Sequence, residues 1–252
     1  MRRLFSCAMA ASALMASNYA SADFEFEHGG HTYKVVTTPL TFADALDAAD
    51  VATSSWGDTN GYLVNIESAA ENEAIATQLA SNVGASAYTE TTAPDGGGAA
   101  YVWIGADDRG TEGSWVWNTL TGAQAFWSGD NTGSAVGGAY NNWGTDSGTQ
   151  NEPDNFGPGQ DAAGIALQTW PNPSLDAGFV LGTTGQWNDV AESNQLYYII
   201  EWDTVDSTDE GTGGSGGSGG SGGATPVPTM PFYLLLFMSG LLGLLGLKRL
   251  KK

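Results

Sequence analysis

Cysteine is almost absent from this chain of 252 residues. The single cysteine, Cys7, lies in an N-terminal segment that is expected to be removed, so the mature protein would have no thiol with which to form a disulfide. Its stability must then come from core packing and from any bound metal. Tryptophan, tyrosine and phenylalanine make up 11% of the residues, which is enough for an aromatic core.

Basic residues are equally scarce in the central part of the chain. Between residues 23 and 223 only Lys34 and Arg109 are basic, whereas all 28 acidic residues lie there, so the formal charge is −26 compared with −20 for the whole chain. Such a charge repels nucleic acid and anionic lipid surfaces and attracts divalent cations. It would also keep a protein soluble in a salty medium, and the composition leaves both interpretations open.

Residues 1–22 have the composition of a secretory signal peptide. Arg2 and Arg3 precede an apolar run over residues 4–15, and small residues at positions 20–22 form a cleavage site. A transmembrane helix is disfavoured because the apolar run is shorter than the ~20 residues that a bilayer crossing needs. The segment therefore predicts an exported protein at the cell surface or in the extracellular medium.

Residues 206–252 predict a tether followed by a membrane segment. Residues 206–224 are rich in glycine and serine, as in flexible linkers, and residues 225–252 contain a Pro-Val-Pro-Thr motif, an apolar run and a basic end. This form resembles the PEP-CTERM-like sorting signals of Gram-negative bacteria, although Val-Pro-Thr-Met departs from their Val-Pro-Glu-Pro signature. The apolar run at 232–247 spans roughly 24 Å, slightly less than the ~30 Å hydrocarbon core, so a temporary hold and a permanent tail anchor both remain open. The basic end is expected on the cytoplasmic side.

The central residues 23–205 predict one α+β domain. Alternating residues at 31–36 indicate a strand, and Thr41 is a suitable N-cap for a first helix. A second helix is predicted to begin at Ser68, where Glu71 completes a capping box. Later short apolar runs at 101–106, 114–117, 165–167 and 196–202 predict strands joined by long loops.

The long loop at residues 129–161 is rich in glycine, asparagine and aspartate. Irregular loops of this length are uncommon in compact domains unless something functional organises them. Calcium takes six to eight oxygen ligands from carboxylates, amides and water. Glu152-Pro153-Asp154, with a proline that could form a cis bond, and Trp187-Asn188-Asp189 offer such ligands. These two motifs predict a calcium site.

Over residues 28–203 the order of motifs resembles a C-type lectin-like domain. The resemblance implies an α+β fold of two helices, two small antiparallel sheets and a long calcium-binding loop, here without disulfides. The motifs are Thr41-Phe42-Ala43-Asp44-Ala45, Gly61-Tyr62-Leu63-Val64-Asn65-Ile66-Glu67-Ser68, Trp103-Ile104-Gly105, Gly113-Ser114-Trp115-Val116-Trp117, Asn142-Trp143, Glu152-Pro153-Asp154-Asn155, Trp187-Asn188-Asp189 and Tyr198-Ile199-Ile200-Glu201.

The resemblance also implies two sets of calcium ligands. A sugar would be held through two neighbouring hydroxyls that ligate the first calcium directly. The ligands of this sugar-binding calcium would be Glu152, Asp154, Gln160, Asn188 and Asp189. The ligands of a second, structural calcium would be Asp108, Glu112, Asn155 and Asp161.

Two departures from the family pattern affect these implications. Gln160 stands where the family has glutamate and Asp154 replaces the asparagine of Glu-Pro-Asn, so three carboxylates and two amides remain. Hydrogen-bond donors would then lie on Gln160 and Asn188, because only amides can donate, and the mixed motif assigns no sugar specificity. The half-cystine positions of the family fall near Ala49 with Ile200 and near Ala162 with Glu192.

Several aromatic and histidine side chains have two possible roles. Phe156 is predicted either to pack on the apolar face of a sugar or to pack within its loop. Trp170 is left open between contact with a ligand and packing. His28 and His31 are expected at the surface, because they lie too far in sequence from the carboxylate loop to suggest a metal triad with it. Core positions are predicted for Trp103, Trp115, Trp117 and Trp143.

These features predict a calcium-dependent, carbohydrate-binding surface lectin or adhesin whose partners are glycans or surface polysaccharide. The alternative is a protein-binding or matrix protein with purely structural calcium, whose partners are other surface proteins. An enzyme is not predicted, because no set of nucleophile, base and orienting residue is visible.

Overall fold

The computed structural model describes residues 22–157, 159–171 and 178–203. The predicted linker and C-terminal segment lie outside these residues, as does all of the predicted signal peptide except its last residue. No helix within the described ranges is long and apolar enough to cross a membrane.

Two α-helices form where the capping residues predict them. The first, α1, covers Phe42–Asp50, and the second, α2, covers Ala69–Asn82. The Thr41 hydroxyl accepts a hydrogen bond from Asp44 N at 3.3 Å and so caps α1. Both predicted starts are therefore confirmed.

The capping box of α2 differs in one detail from the predicted one. Ser68 Oγ accepts from Glu71 N at 3.2 Å, as expected. The Glu71 carboxylate, however, accepts from Glu67 N at 2.9 Å, one residue before the N-cap. It also accepts from the Tyr33 hydroxyl at 2.9 Å, and this contact with the sheet draws the carboxylate away from the Ser68 N–H.

Within the described residues, thirteen strands complete the fold, and the α+β class is confirmed. In chain order the strands are β1 Phe24–His28, β2 His31–Leu40, β3 Tyr62–Leu63, β4 Thr92–Ala93, β5 Ala99–Asp107, β6 Ser114–Thr119, β7 Gly122–Ser128, β8 Ser134–Ala135, β9 Thr145–Asp146, β10 Thr149–Gln150, β11 Ala162–Ala166, β12 Trp187–Val190 and β13 Leu196–Asp203.

Strand β13 joins most of these strands into one branched sheet in the order β1-β2-β13-β5-β6-β7-β8. It pairs antiparallel with β2 and β3, and parallel with β5 over two residues. Strand β11 pairs with β5 and with β12, while β9 and β10 form a separate ribbon. The site motif Trp187-Asn188-Asp189 thus lies on β12, within the sheet and not in a free loop.

The core fixes β12 from behind through aromatic contacts. The Trp187 ring packs edge-on against Trp117 and Trp143, with ring centroids 5.5 and 5.9 Å away. Its indole N–H donates to Asn72 Oδ1 of α2 at 2.8 Å. The four tryptophans predicted as core are all buried, which confirms that prediction: Trp103, Trp115, Trp117 and Trp143.

Apolar packing replaces one of the two disulfides that the resemblance would place. Ala49 and Ile200 lie in the same buried cluster and both flank Gly61. At the other position Ala162 is buried, whereas the Glu192 carboxylate lies 3.8 Å from the guanidinium of Arg109.

A substitution at Gly105 can test how closely β3 and β5 are packed. Its N–H donates to Val64 O at 2.8 Å, and an added methyl group would clash with the Leu63 carbonyl oxygen. We expect Gly105→Ala to lower the free energy of unfolding by about 1–3 kcal/mol because the backbone must move. Gly110→Ala is the matched control, since nothing lies within 4 Å of its added methyl. Urea denaturation measures both, and equal midpoints for the two variants would contradict this packing.

Candidate metal and ligand site

Two distant parts of the chain meet at the predicted site. The Glu152-Pro153 peptide bond is cis, as the motif predicted it could be. Asp189 of β12 accepts two backbone hydrogen bonds from the loop that follows Pro153. The donors are Asp154 N at 3.1 Å and Asn155 N at 2.7 Å. The strand therefore anchors the loop, and it does so through a residue that is itself fully buried.

Three carboxylates are brought together where these segments meet. One oxygen each of Glu152, Asp154 and Asp189 lies within 4.8 Å of the others. Glu152 and Asp189 are almost completely buried, and Asp154 is half-buried. Burial raises the pKa of all three groups, and the charge of Asp189 raises the pKa of Glu152 further. None of the ion pairs in the described ranges involves these carboxylates.

Two oxygen atoms at this site are buried without a hydrogen-bond partner. Glu152 Oε1 accepts from the Trp170 indole N–H at 2.8 Å, but its Oε2 has no partner. The Gln160 side-chain oxygen is likewise buried and unpaired. Buried polar atoms are rarely left unsatisfied in folded proteins, so two in one place indicate that a bound group completes them.

The amide nitrogens of Gln160 and Asn188 both donate within the protein. Gln160 Nε2 lies 3.2 and 3.3 Å from the backbone and carboxylate oxygens of Asp95. Asn188 Nδ2 donates one of its two N–H groups to the Tyr101 hydroxyl at 2.9 Å. The Gln160 donors are therefore directed at Asp95, and one Asn188 donor is directed at Tyr101.

A cavity of about 250 Å³ is lined by the side chains of Glu152, Asp154, Gln160 and Asn188. The potential metal ligands at this site are all oxygen atoms. They come from three carboxylates and from the side-chain amides of Gln160 and Asn188. Calcium prefers ligands of this kind, so the residues present fit that ion. The predicted residues that line the cavity are Glu152, Asp154, Phe156, Gln160 and Asn188, while Asp189 lies buried beneath them.

Asp95 contributes to the site although its sequence context signals only a turn. It follows a proline and precedes a glycine, which is typical of turns. In the structure its carboxylate accepts from Ala191 N and from Asn194 Nδ2, both at 2.6 Å, besides contacting Gln160. Asp95 thereby orients the Gln160 amide and fixes the end of β12.

The aromatic predictions have separate outcomes. Trp170 is fully buried, packs edge-on against Tyr101 and donates to Glu152, so it packs and orients a carboxylate. Phe156 is 76% exposed and does not pack within its loop. Phe179, which no motif indicated, is 54% exposed and lines the same cavity.

A second carboxylate cluster contains three of the four residues predicted for the structural calcium. One oxygen each of Asp108, Glu112 and Asp161 lies within 4.8 Å of the others. Asp108 Oδ2 accepts from Gly113 N at 2.7 Å, whereas its Oδ1 is buried without a partner. Burial, with the neighbouring negative charges, raises the pKa of Asp108 to about 7. The side-chain oxygen of the fourth predicted residue, Asn155, accepts a hydrogen bond from Gln160 N at 3.4 Å.

His31 lies beside carboxylates other than those of the predicted calcium loop. Its Nδ1 lies 2.8 Å from Glu201 Oε1 and 3.2 Å from Asp203 Oδ1. These two acidic residues are far from His31 in sequence, but β2 and β13 pair so that His31 lies opposite Asp203. A triad of possible metal ligands therefore forms that the sequence did not indicate.

Comparisons with known proteins give partial similarities. No family model matches the chain. Halomucin from Haloquadratum walsbyi is 31% identical over 117 residues, which is 45% of this chain and 1% of that protein. The chain thus spans only a very small part of that relative.

Among solved structures, the C-type lectin CEL-I from Cucumaria echinata is 21% identical, with 70% of this chain and 93% of that chain covered and a TM-score of 0.45. The carbohydrate-recognition domain of the mouse scavenger receptor C-type lectin is 23% identical, with coverages of 71% and 93% and a TM-score of 0.42. Human lithostathine is 17% identical, with coverages of 71% and 97% and a TM-score of 0.45. The solved structures to which this chain is similar thus include C-type lectin carbohydrate-recognition domains.

Proposed function

We propose that this chain is an exported surface protein that binds carbohydrate through calcium. The observation that carries the proposal is the meeting of three carboxylates and two unpaired, buried oxygen atoms at one small open cavity without a basic partner. A divalent cation would offset two of the three negative charges and complete both oxygens. Catalysis is not proposed, since the carboxylates are arranged as ligands of an ion.

Five residues would hold the calcium: Glu152, Asp154, Gln160, Asn188 and Asp189. When bound, the ion would supply open coordination positions for two neighbouring hydroxyl groups of a sugar. The chain prepares its own oxygens for this role. Trp170 holds Glu152 through one oxygen, and Phe156 N donates to Asp154 Oδ1 at 3.0 Å. The second cluster, at Asp108, Glu112 and Asp161, would hold a structural calcium.

The sugar would meet acceptors and rings more than donors. Because Gln160 donates to Asp95 and Asn188 gives one of its two N–H groups to Tyr101, the carboxylate oxygens would be the main partners of sugar hydroxyls. Phe156 and Phe179 expose rings beside the same cavity and would pack on the C–H face of a sugar ring. A ligand with adjacent hydroxyls and an apolar face, such as a glycan or surface polysaccharide, fits this combination.

The location of the protein is part of the same proposal. The signal peptide at residues 1–22 would export the chain, and the segment at 225–252 would hold it at the membrane, at least until any processing. The glycine-rich linker at 206–224 would then present the domain away from the surface.

One observation favours a second candidate function, protein or matrix binding with purely structural calcium. Asp189 is bonded to two loop amides and is fully buried, so a cation there would order the loop whether or not a ligand is bound. The internal use of both amide donors points the same way.

Calcium should raise the melting temperature of the wild-type chain. In Glu152→Gln, removal of calcium should no longer lower it. At a hundredfold excess over the dissociation constant, calcium adds about 2.7 kcal/mol, which raises the melting temperature by about 5–10 °C. Glutamine keeps an acceptor for Trp170 but removes a buried charge. In EDTA the variant should therefore melt at or above the wild-type temperature, and calcium should no longer raise it.

Differential scanning calorimetry with calcium and with EDTA measures this crossover. Asp47→Asn is the matched control, because it removes one charge from an exposed position of α1 and should leave the calcium shift intact. If neither calcium nor EDTA changes the melting temperature of the wild-type protein, the result would count against both candidate functions.

Asp95 should support calcium affinity without touching the ion. Asp95→Ala releases the Gln160 amide, so we expect the calcium dissociation constant to rise about tenfold, as for other groups that orient metal ligands. Asn194→Ala removes a different partner of Asp95 and leaves its contact with Gln160, so its affinity should stay within threefold of wild type. Isothermal titration calorimetry decides, and equal affinities for Asp95→Ala and wild type would refute the orienting role.

Phe156→Ala should separate sugar binding from calcium binding. Since the ring is exposed, its loss should leave calcium affinity unchanged but weaken calcium-dependent retention on a glycan array by at least fivefold. Val51→Ala, which truncates an equally exposed apolar side chain at the end of α1, is the control and should bind like wild type. If wild-type protein in calcium gives no array signal that EDTA removes, while calcium still stabilises the fold, the protein-binding candidate replaces the lectin.

A further inference from the structure

A separate cleft of about 570 Å³ opens between the sheet and the start of α2. It exceeds the cavity at the calcium site, and the proposed function makes no use of it. Its lining includes His31 at the start of β2, Glu201 and Asp203 at the end of β13, and Tyr62 and Asn65 near β3.

Strand pairing assembles three possible metal ligands at this cleft. His31 lies opposite Asp203, and Glu201 lies two residues away from Asp203 on the same face of β13. His31 Nδ1 is 2.8 Å from Glu201 Oε1 and 3.2 Å from Asp203 Oδ1. All three ligand atoms lie within 4.8 Å of one another.

Both carboxylates are fixed by neighbouring donors. Asn65 N donates to Glu201 Oε2 at 2.9 Å, and the Tyr62 hydroxyl donates to Asp203 Oδ1 at 2.8 Å. Glu201 is only 2% exposed although it is acidic. Outer groups of this kind commonly hold metal ligands in place.

Two polar atoms at the cleft have no hydrogen bond to satisfy them. His31 Nδ1 approaches both carboxylates, yet its orientation makes a hydrogen bond to neither. Asn65, which is 8% exposed and lines the cleft, has a buried side-chain oxygen without a partner. Buried polar atoms that lack a partner can be completed by a bound ion.

We propose that His31, Glu201 and Asp203 form a binding site for a divalent transition metal such as zinc. Zinc bonds to histidine nitrogen and carboxylate oxygen at about 2.0–2.2 Å, so its tetrahedral ligand atoms lie about 3.3 Å apart. The observed separations of 2.8 and 3.2 Å need to open by about half an ångström or less for such a geometry. The fourth position would face the cleft and be open to water or to an external ligand.

The ligand types distinguish this site from the calcium site. Calcium takes oxygen ligands, whereas imidazole nitrogen suits zinc and its neighbours among the transition metals. The strong negative charge of the domain draws both kinds of ion, but only this cluster supplies a nitrogen. The proposal does not depend on sugar binding.

Protonation of His31 is the alternative to metal binding at this site. Contact with Glu201 and the neighbouring negative charges raises the pKa of His31 to about 8, so a protonated His31 would form an ion pair with the same carboxylates. A test must therefore detect the metal itself and identify the histidine that holds it.

Titration of the full chain with zinc chloride tests the site. The protein is first saturated with millimolar calcium, so that the oxygen sites are filled, and isothermal titration calorimetry then measures zinc. We expect one zinc per chain with a dissociation constant of about 10 μM or tighter, weakened at least tenfold by His31→Ala. Asp47→Ala is the control, because it removes an exposed acidic side chain of α1 that does not line the cleft, and its zinc affinity should stay within threefold of wild type.

Nuclear magnetic resonance keeps the test valid if His31→Ala folds poorly. The chain has two histidines, so their imidazole signals can be told apart in the wild-type protein. Zinc should move the ring signals of His31, and His28→Ala assigns which of the two sets of ring signals belongs to His31. Absence of zinc binding in calcium, or binding that leaves the His31 ring signals unmoved, would overturn the proposal and leave an ion pair only.

Discussion

The structure depends on a concentration of like charge that the protein itself does not neutralise. Glu152, Asp154 and Asp189 come within 4.8 Å of one another, and two of them are almost completely buried. Ionised carboxylates in such a place repel one another and lose their hydration, which is costly unless a cation is shared among them. The same charges that repel one another would therefore attract a divalent cation such as the calcium that we propose.

The rest of the fold holds these charges in place. The Trp187 ring contacts fix β12 from the core, so Asn188 and Asp189 project from a rigid strand. Asp189 then carries the loop on two backbone hydrogen bonds, Trp170 orients Glu152, and Asp95 orients Gln160. Each ligand has its own support, and this preorganisation reduces the ordering that an ion would otherwise have to impose.

Local signals in the sequence predicted the local structure well. The caps at Thr41 and Ser68 located both helices, and apolar runs located β5, β6, β11 and β13. Strand β12 was not predicted as a strand, because its alternation is short and its polar residues suggested ligands in a loop. The order of the motifs along the chain also predicted that the carboxylates of Glu152 and Asp154 would lie close to that of Asp189. In the structure one oxygen of each lies within 4.8 Å of the others.

Contacts between distant residues account for what the sequence did not predict. The roles of Asp95 and Tyr101 depend on which amide hydrogens they accept, and nothing in their own neighbourhoods indicates those partners. His31 and Glu201 are adjacent only because β2 pairs with β13 in one register, and a shift of one residue would turn these side chains to opposite faces.

Anomalous diffraction from crystals grown in calcium tests the central claim most directly. The account predicts an ion peak between the 152–154 segment and β12, with oxygens of the five proposed ligands at about 2.3–2.6 Å from it: Glu152, Asp154, Gln160, Asn188 and Asp189. A map with no ion there in millimolar calcium, with the three carboxylates turned apart toward solvent, would contradict it.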